Sequence, residues 1–352
     1  MMRKGLVAIA LLGGFAATAK AGSLEELKNL LNQKDVNIGI AVTGDYLYTA
    51  DRSDKIGNTK NYEDIFGYNL YLELSKEATD KSPYGFKIAV SNDDWAPVVG
   101  VEPLTDVQNS LTIDEAYVEA KLGMFDLQAG RFVTNIGGEA PYTFQNINIQ
   151  RGLVWNGEPV FYNGVRLNGE FQSVGFYVGV NDRDTHDGKM AFEGGVSCNL
   201  PYKTSASFNI LIPDKNDENP TRVYNLTFNT DAVQNVPITF YVDYLDTPQK
   251  GQNTQSIGAA LLADVKVNQK VSVGTRVEYV HNDGDGDNYG IGTGNYAWTF
   301  TVTPKYQFNK YLYIRAEASY VKLGHKYYQK SDNPNDLTDN EFRLGAEVGF
   351  VF

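Results

Sequence analysis

Glu341-Phe-Arg-Leu-Gly-Ala-Glu-Val-Gly-Phe-Val-Phe352 decides the fold. Phe342, Leu344, Ala346, Val348, Phe350 and Phe352 share one parity, and Glu341, Arg343, Gly345, Glu347 and Gly349 share the other. Successive side chains of a β-strand point to opposite faces, so this alternation predicts a strand with one apolar and one polar side. Its length matters as much. Globular strands run to about 5–6 residues, whereas tilted strands that cross a bilayer need about 9–11.

Working back from this stretch, the pattern recurs. Leu312, Ile314, Ala316, Ala318 and Tyr320 alternate with Tyr313, Arg315, Glu317 and Ser319; Val271, Val273, Thr275, Val277 and Tyr279 alternate with Ser272, Gly274, Arg276 and Glu278. Sixteen such segments are expected, at 36–50, 62–76, 84–93, 111–122, 124–135, 158–170, 173–182, 188–200, 203–213, 221–231, 236–247, 254–268, 270–282, 294–308, 310–323 and 340–352. Tight turns at Leu122-Gly123, Asn268-Gln269 and Phe308-Asn309 alternate with long links at 94–110, 136–157, 283–293 and 324–339. The reading is all-β: a transmembrane antiparallel up-and-down β-barrel of about 16 strands, with short periplasmic turns and long outer loops. A large soluble β-sandwich is the competing fold. Against it stand the strand lengths, the Tyr and Phe near strand ends, and charges in mid-strand that a barrel would turn toward a wet lumen.

The other end of the chain agrees. Arg3 and Lys4 precede an uncharged, mostly apolar run from Gly5 to Ala17, and Ala17-Thr18-Ala19 and Ala19-Lys20-Ala21 each fit an A-x-A cleavage site, the second being favoured. This is the layout of a secretory signal and is too short to span a bilayer. Residues 1–21 are therefore expected to be removed, 22–35 to form a short N-terminal periplasmic helix, and 36–352 to form the barrel. In the helix, Ser23 and Glu26 match a capping box, with Leu24, Leu27 and Leu31 at helical spacing.

The 352-residue chain carries a formal charge of -12, and loss of Arg3, Lys4 and Lys20 takes it to -15. That balance argues against nucleic acid as a partner. No apolar run of membrane-helix length follows the signal, as expected where only every second residue faces lipid. A single cysteine, Cys198, rules out an intrachain disulfide and falls on an apolar face.

Ile113-Asp-Glu-Ala-Tyr-Val118, Gly130 through Glu139, Pro159 through Arg166 and Gly175 through Asn181 resemble the β-barrel porins of the OmpL-like class, most closely from about 110 to 200. The resemblance implies an outer-membrane porin of a Gram-negative-type bacterium, a water-filled channel for passive diffusion of small hydrophilic solutes or ions. A terminal aromatic such as Phe352 is similar to the signal read by outer-membrane assembly machinery. Outer-membrane lipids are a further partner, and a homotrimer is a candidate assembly. General porins commonly fold the loop after strand five into the pore. Here that link is 136–157, with Glu139 and Arg151 as candidate constriction residues. It lacks the acidic Pro-Glu-Phe-Gly-Gly signature, which leaves its placement open.

In a pore, the inward faces are the working surface. By alternation they carry Lys87, Lys121, Arg166, Lys266, Arg276, Lys305, Arg315 and Arg343, facing Asp45, Glu73, Glu115, Glu119, Asp126, Glu193, Asp243, Asp264, Glu278, Glu317 and Glu347. The acidic excess predicts a weak cation preference. Arg131 breaks the pattern, in phase with outward Leu127 and Ala129, as a β-bulge or a rim position would explain. A barrel hydrolase would need one of His186, His281 and His325, all in or beside expected outer loops, and no enzyme is expected. A structural or adhesive barrel without an open pore is the other alternative. Asp283-Gly-Asp285-Gly-Asp287-Asn288 lacks EF-hand spacing and reads as a solvated acidic loop; no metal or cofactor is expected.

Overall fold

The computed structural model describes residues 24–50, 64–92, 111–184, 188–217, 220–249, 252–330 and 335–352. The expected signal segment, Ser23 of the capping box, the 94–110 link and His186 lie outside the described residues.

The alternating segments become β1 (Asn37–Ala50), β2 (Asp64–Lys76), β3 (Tyr84–Ser91), β4 (Thr112–Leu122), β5 (Phe125–Val133), β6 (Phe161–Phe171), β7 (Val174–Asn181), β8 (Ala191–Leu200), β9 (Thr204–Pro213), β10 (Arg222–Thr230), β11 (Ile238–Gln249), β12 (Gln252–Lys266), β13 (Val271–Asp283), β14 (Tyr296–Gln307), β15 (Leu312–Leu323) and β18 (Asn340–Val351). All sixteen expected strands are present, with no end shifted by more than three residues. Each pairs antiparallel with its sequence neighbours, and β18 closes the cylinder on β1, with Asp45 opposite Glu347. Closure gives every strand two partners and leaves no open edge, which a backbone in hydrocarbon requires. Two further short strands, β16 (Tyr328–Gln329) and β17 (Leu337–Thr338), form a small ladder in the last long link.

Burial follows the sequence parity. On β18, Phe342, Leu344 and Val348 are 40–48% exposed on the outside, while Glu341, Arg343 and Glu347 are 1% exposed on the inside. The apolar face looks outward and the polar face forms the interior, the inverse of a soluble core and the arrangement a lipid-embedded barrel needs. Turn parity holds as well, although the β11–β12 connection, on the long-link rim, is reduced to two residues because both strands run past the expected ends. The helix α1 (Leu24–Asn32) lies at the short-turn rim: Glu25 pairs with Lys310 in the β14–β15 turn, and Lys28 sits 4.7 Å from the Phe352 ring centre.

The irregularity expected near Arg131 takes the rim form. Arg131 pairs regularly with Ala116 and Asn163 and forms an ion pair with Asp184 beyond the end of β7. A register shift lies instead between β3 and β4, at Ala89/Val90, and brings Asp114 and Glu115 both to the interior. Cys198 is partly exposed, on the outward parity of β8.

Candidate functional site

The interior is organised by the link between β5 and β6. A backbone bond from Thr134 N to Val160 O, 2.9 Å, pinches its root. Between these points the chain turns into the barrel, and its apolar residues Ile149, Leu153 and Val154 have no exposure at all. Asn146 braces the turn from within, accepting from Ala140 N and donating to Ala140 O at 2.8 Å each. This inner loop is where Glu139 and Arg151 lie.

The charged wall of β13, β15 and β18 grips the loop. Arg276 donates to Glu139 at 2.7 Å and to the Gln150 carbonyl at 2.6 Å, while its Nε donates to Glu278 at 3.1 Å. Glu317 accepts from Gln150 N at 3.1 Å and from Gln150 Nε2 at 2.9 Å. Arg343 reaches Gln150 Oε1 at 3.1 Å. Arg315 pairs with Glu347 at 2.7 Å and donates to the carbonyls of Asn146 and Thr143 at 2.7 and 2.9 Å. Glu278 also accepts from Val154 N at 3.2 Å. Across the barrel, Tyr142 donates to Asp114 at 3.0 Å and packs 4.4 Å from Tyr71. Two glycines permit the approach. A Cβ on Gly152 would lie 1.8 Å from Glu278 Oε1, and one on Gly274 would lie 2.6 Å from Ile147 O.

The predicted inward residues thus divide. Arg276, Glu278, Arg315, Glu317, Arg343 and Glu347 face inward but are at most 3% exposed, beneath the loop. Asp243, also fully buried, accepts from Asn225 at 2.6 Å. Arg166 and Glu193 form a buried two-point pair at 2.9 and 3.0 Å. Lys87 lies between Glu115 and Glu73 at 2.9 and 3.3 Å. Glu119, Lys121, Lys87 and Asp126 border open space, as do Asp264, Lys266 and Lys305 near the turn after β12. Residues that parity alone did not single out include Gln150, Asn148 and Asp114, and the loop's own apolar residues were the available signal.

Burial sets the ionisation of the loop. It pushes the Arg151 guanidinium down to about 10. It raises Glu139, against the attraction of Arg276. It raises Glu158 well above the ordinary 4.5, reinforced by the neighbouring Asp243 carboxylate. Asp287 of the acidic loop accepts from Asn282 Nδ2, Ile291 N and Gly292 N at 2.7–2.9 Å, so it fixes its own turn.

What the loop leaves open is a vestibule at the short-turn rim, on the β2–β9 side. One cavity of 480 Å³ meets Glu73, Lys87 and Glu119. A second of 740 Å³ meets Asn135, Ser197 and Asn209, and the two share Asp126 and Asn168.

A sixteen-stranded closed barrel with a polar interior and a loop folded into its lumen defines a porin-type protein. The family described as "Putative beta-barrel porin-2, OmpL-like" matches residues 35–352, and the chain belongs to that family. Solved structures share the fold. The outer-membrane channel DcaP of Acinetobacter baumannii is 16% identical, with a TM-score of 0.62, over 90% of this chain and 97% of that one. The anion-selective porin from Comamonas acidovorans is 11% identical, with a TM-score of 0.61, over 90% and 99%. A trimer form of OmpT from Vibrio cholerae is 13% identical, with a TM-score of 0.59, over 90% and 99%. No curated protein sequence matches the chain.

Proposed function

We propose that the protein is a water-filled channel for passive diffusion of small hydrophilic solutes or ions, narrowed by the inner loop and entered through the vestibule. The observation that carries this reading is the pairing of a pinned loop with a contiguous vestibule beside it. Glu139 and Arg151 then act by shaping the loop that sets the bore. Arg276, Arg315 and Arg343 hold that loop, and Lys87, Glu119, Lys121, Asp264, Lys266 and Lys305 meet the permeating solute. Vestibule acids Glu73, Glu77, Glu119, Asp126 and Glu170 outnumber Lys76, Lys87 and Lys121, which supports a weak cation preference.

In this proposal the chain is exported with a cleaved signal, is recognised at Phe352 by the assembly machinery, sits among outer-membrane lipids, and assembles as a homotrimer without catalysing a reaction. Planar-bilayer recording of purified protein tests the channel. Discrete conductance steps support it, and a silent, correctly folded barrel overturns it. Reversal potentials in a salt gradient test the preference, and clear anion preference overturns that part. Native mass measurement in mild detergent tests the trimer.

A further inference from the structure

The vestibule has two chemically different sides. On the β2–β5 side it is charged, with Glu73, Lys87, Glu119, Lys121 and Asp126. The β6–β9 side is built mainly of amides and hydroxyls, with Glu170 as its one acid at the cavity, next to the end of β6 at the short-turn rim. Asn168, Ser197, Asn199, Ser207 and Asn209 all reach the 740 Å³ cavity. The mid-strand charges on this stretch, Arg166 and Glu193, are spent on each other in a pair at most 4% exposed.

These neutral groups are ordered. Tyr177 donates to Asn209 Oδ1 at 3.2 Å, Asn209 donates to Asn225 Oδ1 at 2.9 Å, and Asn225 donates to Asp243 at 2.6 Å. The row runs in one direction because the Asp243 carboxylate can only accept at its end. Asn209 is thereby fixed at the back of the cavity, whereas Ser197 and Asn199 are exposed and Asn168 and Ser207 half-buried. A side-chain amide or hydroxyl both donates and accepts, so such a wall can exchange hydrogen bonds with solute hydroxyls that do the same. Away from Glu170 at the rim, it offers an ion no compensating charge for lost water. The volume falls within the range of about 300–1,000 Å³ typical of small-molecule sites.

We propose that this cavity is a subsite for a neutral, polyhydroxylated solute of mono- to disaccharide size. The inference rests on the channel reading above and names the solute class it favours. Solute would move along the amide wall by trading water hydrogen bonds for protein ones, while the charged side opposite carries the small ions.

The test has two arms. Calorimetry on the detergent-folded barrel measures binding of maltose, and single-channel recording measures maltose-induced interruption of the ion current. Both are repeated with glucuronate as a charged probe. The wild type is expected to bind maltose saturably and more tightly than glucuronate. Each lost hydrogen bond weakens binding by about fivefold. The variant Asn168→Leu/Ser197→Val/Ser207→Val is expected to lose saturable binding, and the milder Ser197→Ala/Ser207→Ala to weaken it by several-fold with the fold intact. A conducting barrel that binds no maltose, prefers glucuronate, or binds equally well in both variants overturns the subsite. A silent barrel that still binds maltose and loses it in the variants overturns the channel reading and upholds the subsite.

Discussion

The β13, β15 and β18 wall and the β6–β9 wall of the lumen face the same interior and are used in opposite ways. The first presents arginines and glutamates, nearly all sealed under the inner loop. The second presents asparagines and serines, several still open to water. Position in mid-strand did not decide which wall met solvent. The loop did, by crossing to the side that could satisfy its backbone. Loop segments away from water need partners for their carbonyls and N–H groups, and Arg276, Arg315 and Glu317 supply them. Charge on the first wall fastens the loop, and the second wall is left uncovered by it.

Breaking the fastener should give the largest effect. Arg276→Ala leaves Glu139 and Glu278 buried without their cation, and removing one partner of a buried pair costs about 3–5 kcal/mol. A fall in thermal stability of that size, with larger and noisier conductance steps as the loop loosens, is expected. Unchanged unfolding and unchanged conductance would erase the distinction between the two walls.

The root of the loop offers a smaller, pH-dependent contrast. Glu158 has a raised folded-state value, so the folded barrel holds its proton more tightly than the unfolded chain. Its contribution to stability is full below the ordinary value of 4.5 and is lost as pH rises toward the raised one. Glu158→Gln keeps the shape and mimics the protonated carboxyl. It should stabilise the barrel at neutral pH by about 1–3 kcal/mol and flatten this part of the stability–pH curve, read by denaturant unfolding at a series of pH values. Destabilisation by Gln at neutral pH would mean the carboxylate is needed ionised.

On the water-filled side, effects should shrink. Glu119→Gln removes one vestibule charge and should lower the cation-to-anion permeability ratio modestly, with thermal unfolding unchanged. The smallest effect is expected at the rim. Arg131 and Asp184 make the same kind of pair as Arg276 and Glu139, but where water reaches both side chains. Exposed pairs contribute about 0.2–1 kcal/mol, so Arg131→Ala should barely move the melting temperature. A loss comparable to that of Arg276→Ala would show that burial is not what separates the two pairs.

The strands were legible because their signal is local. Each of Glu341, Arg343 and Glu347 declares its face through its immediate neighbours, and the tight turns read at Leu122-Gly123 and Phe308-Asn309 fall within a residue of the observed strand ends. The site was legible only in part. Parity gave the inward set, but Arg276 bordering water and Arg276 beneath a loop look the same in sequence. The hint lay in Ile149, Leu153 and Val154, apolar residues in a link that a solvated outer loop would not need. The Asp114/Glu115 irregularity left no hint of its own, since either residue could continue the alternation.

By itself, then, the sequence determined a barrel of about sixteen strands, which side of each strand faces outward, and the alternation of short and long connections. Period-two patterning is a property of neighbours in the chain, and register follows once one face must meet lipid. Only the tertiary structure decided that the inner loop folds across the lumen, that it fastens to β13, β15 and β18, and that β6–β9 remains the open wall. Those contacts join residues more than a hundred positions apart, such as Glu139 and Arg276, and depend on two glycines clearing space at the meeting point.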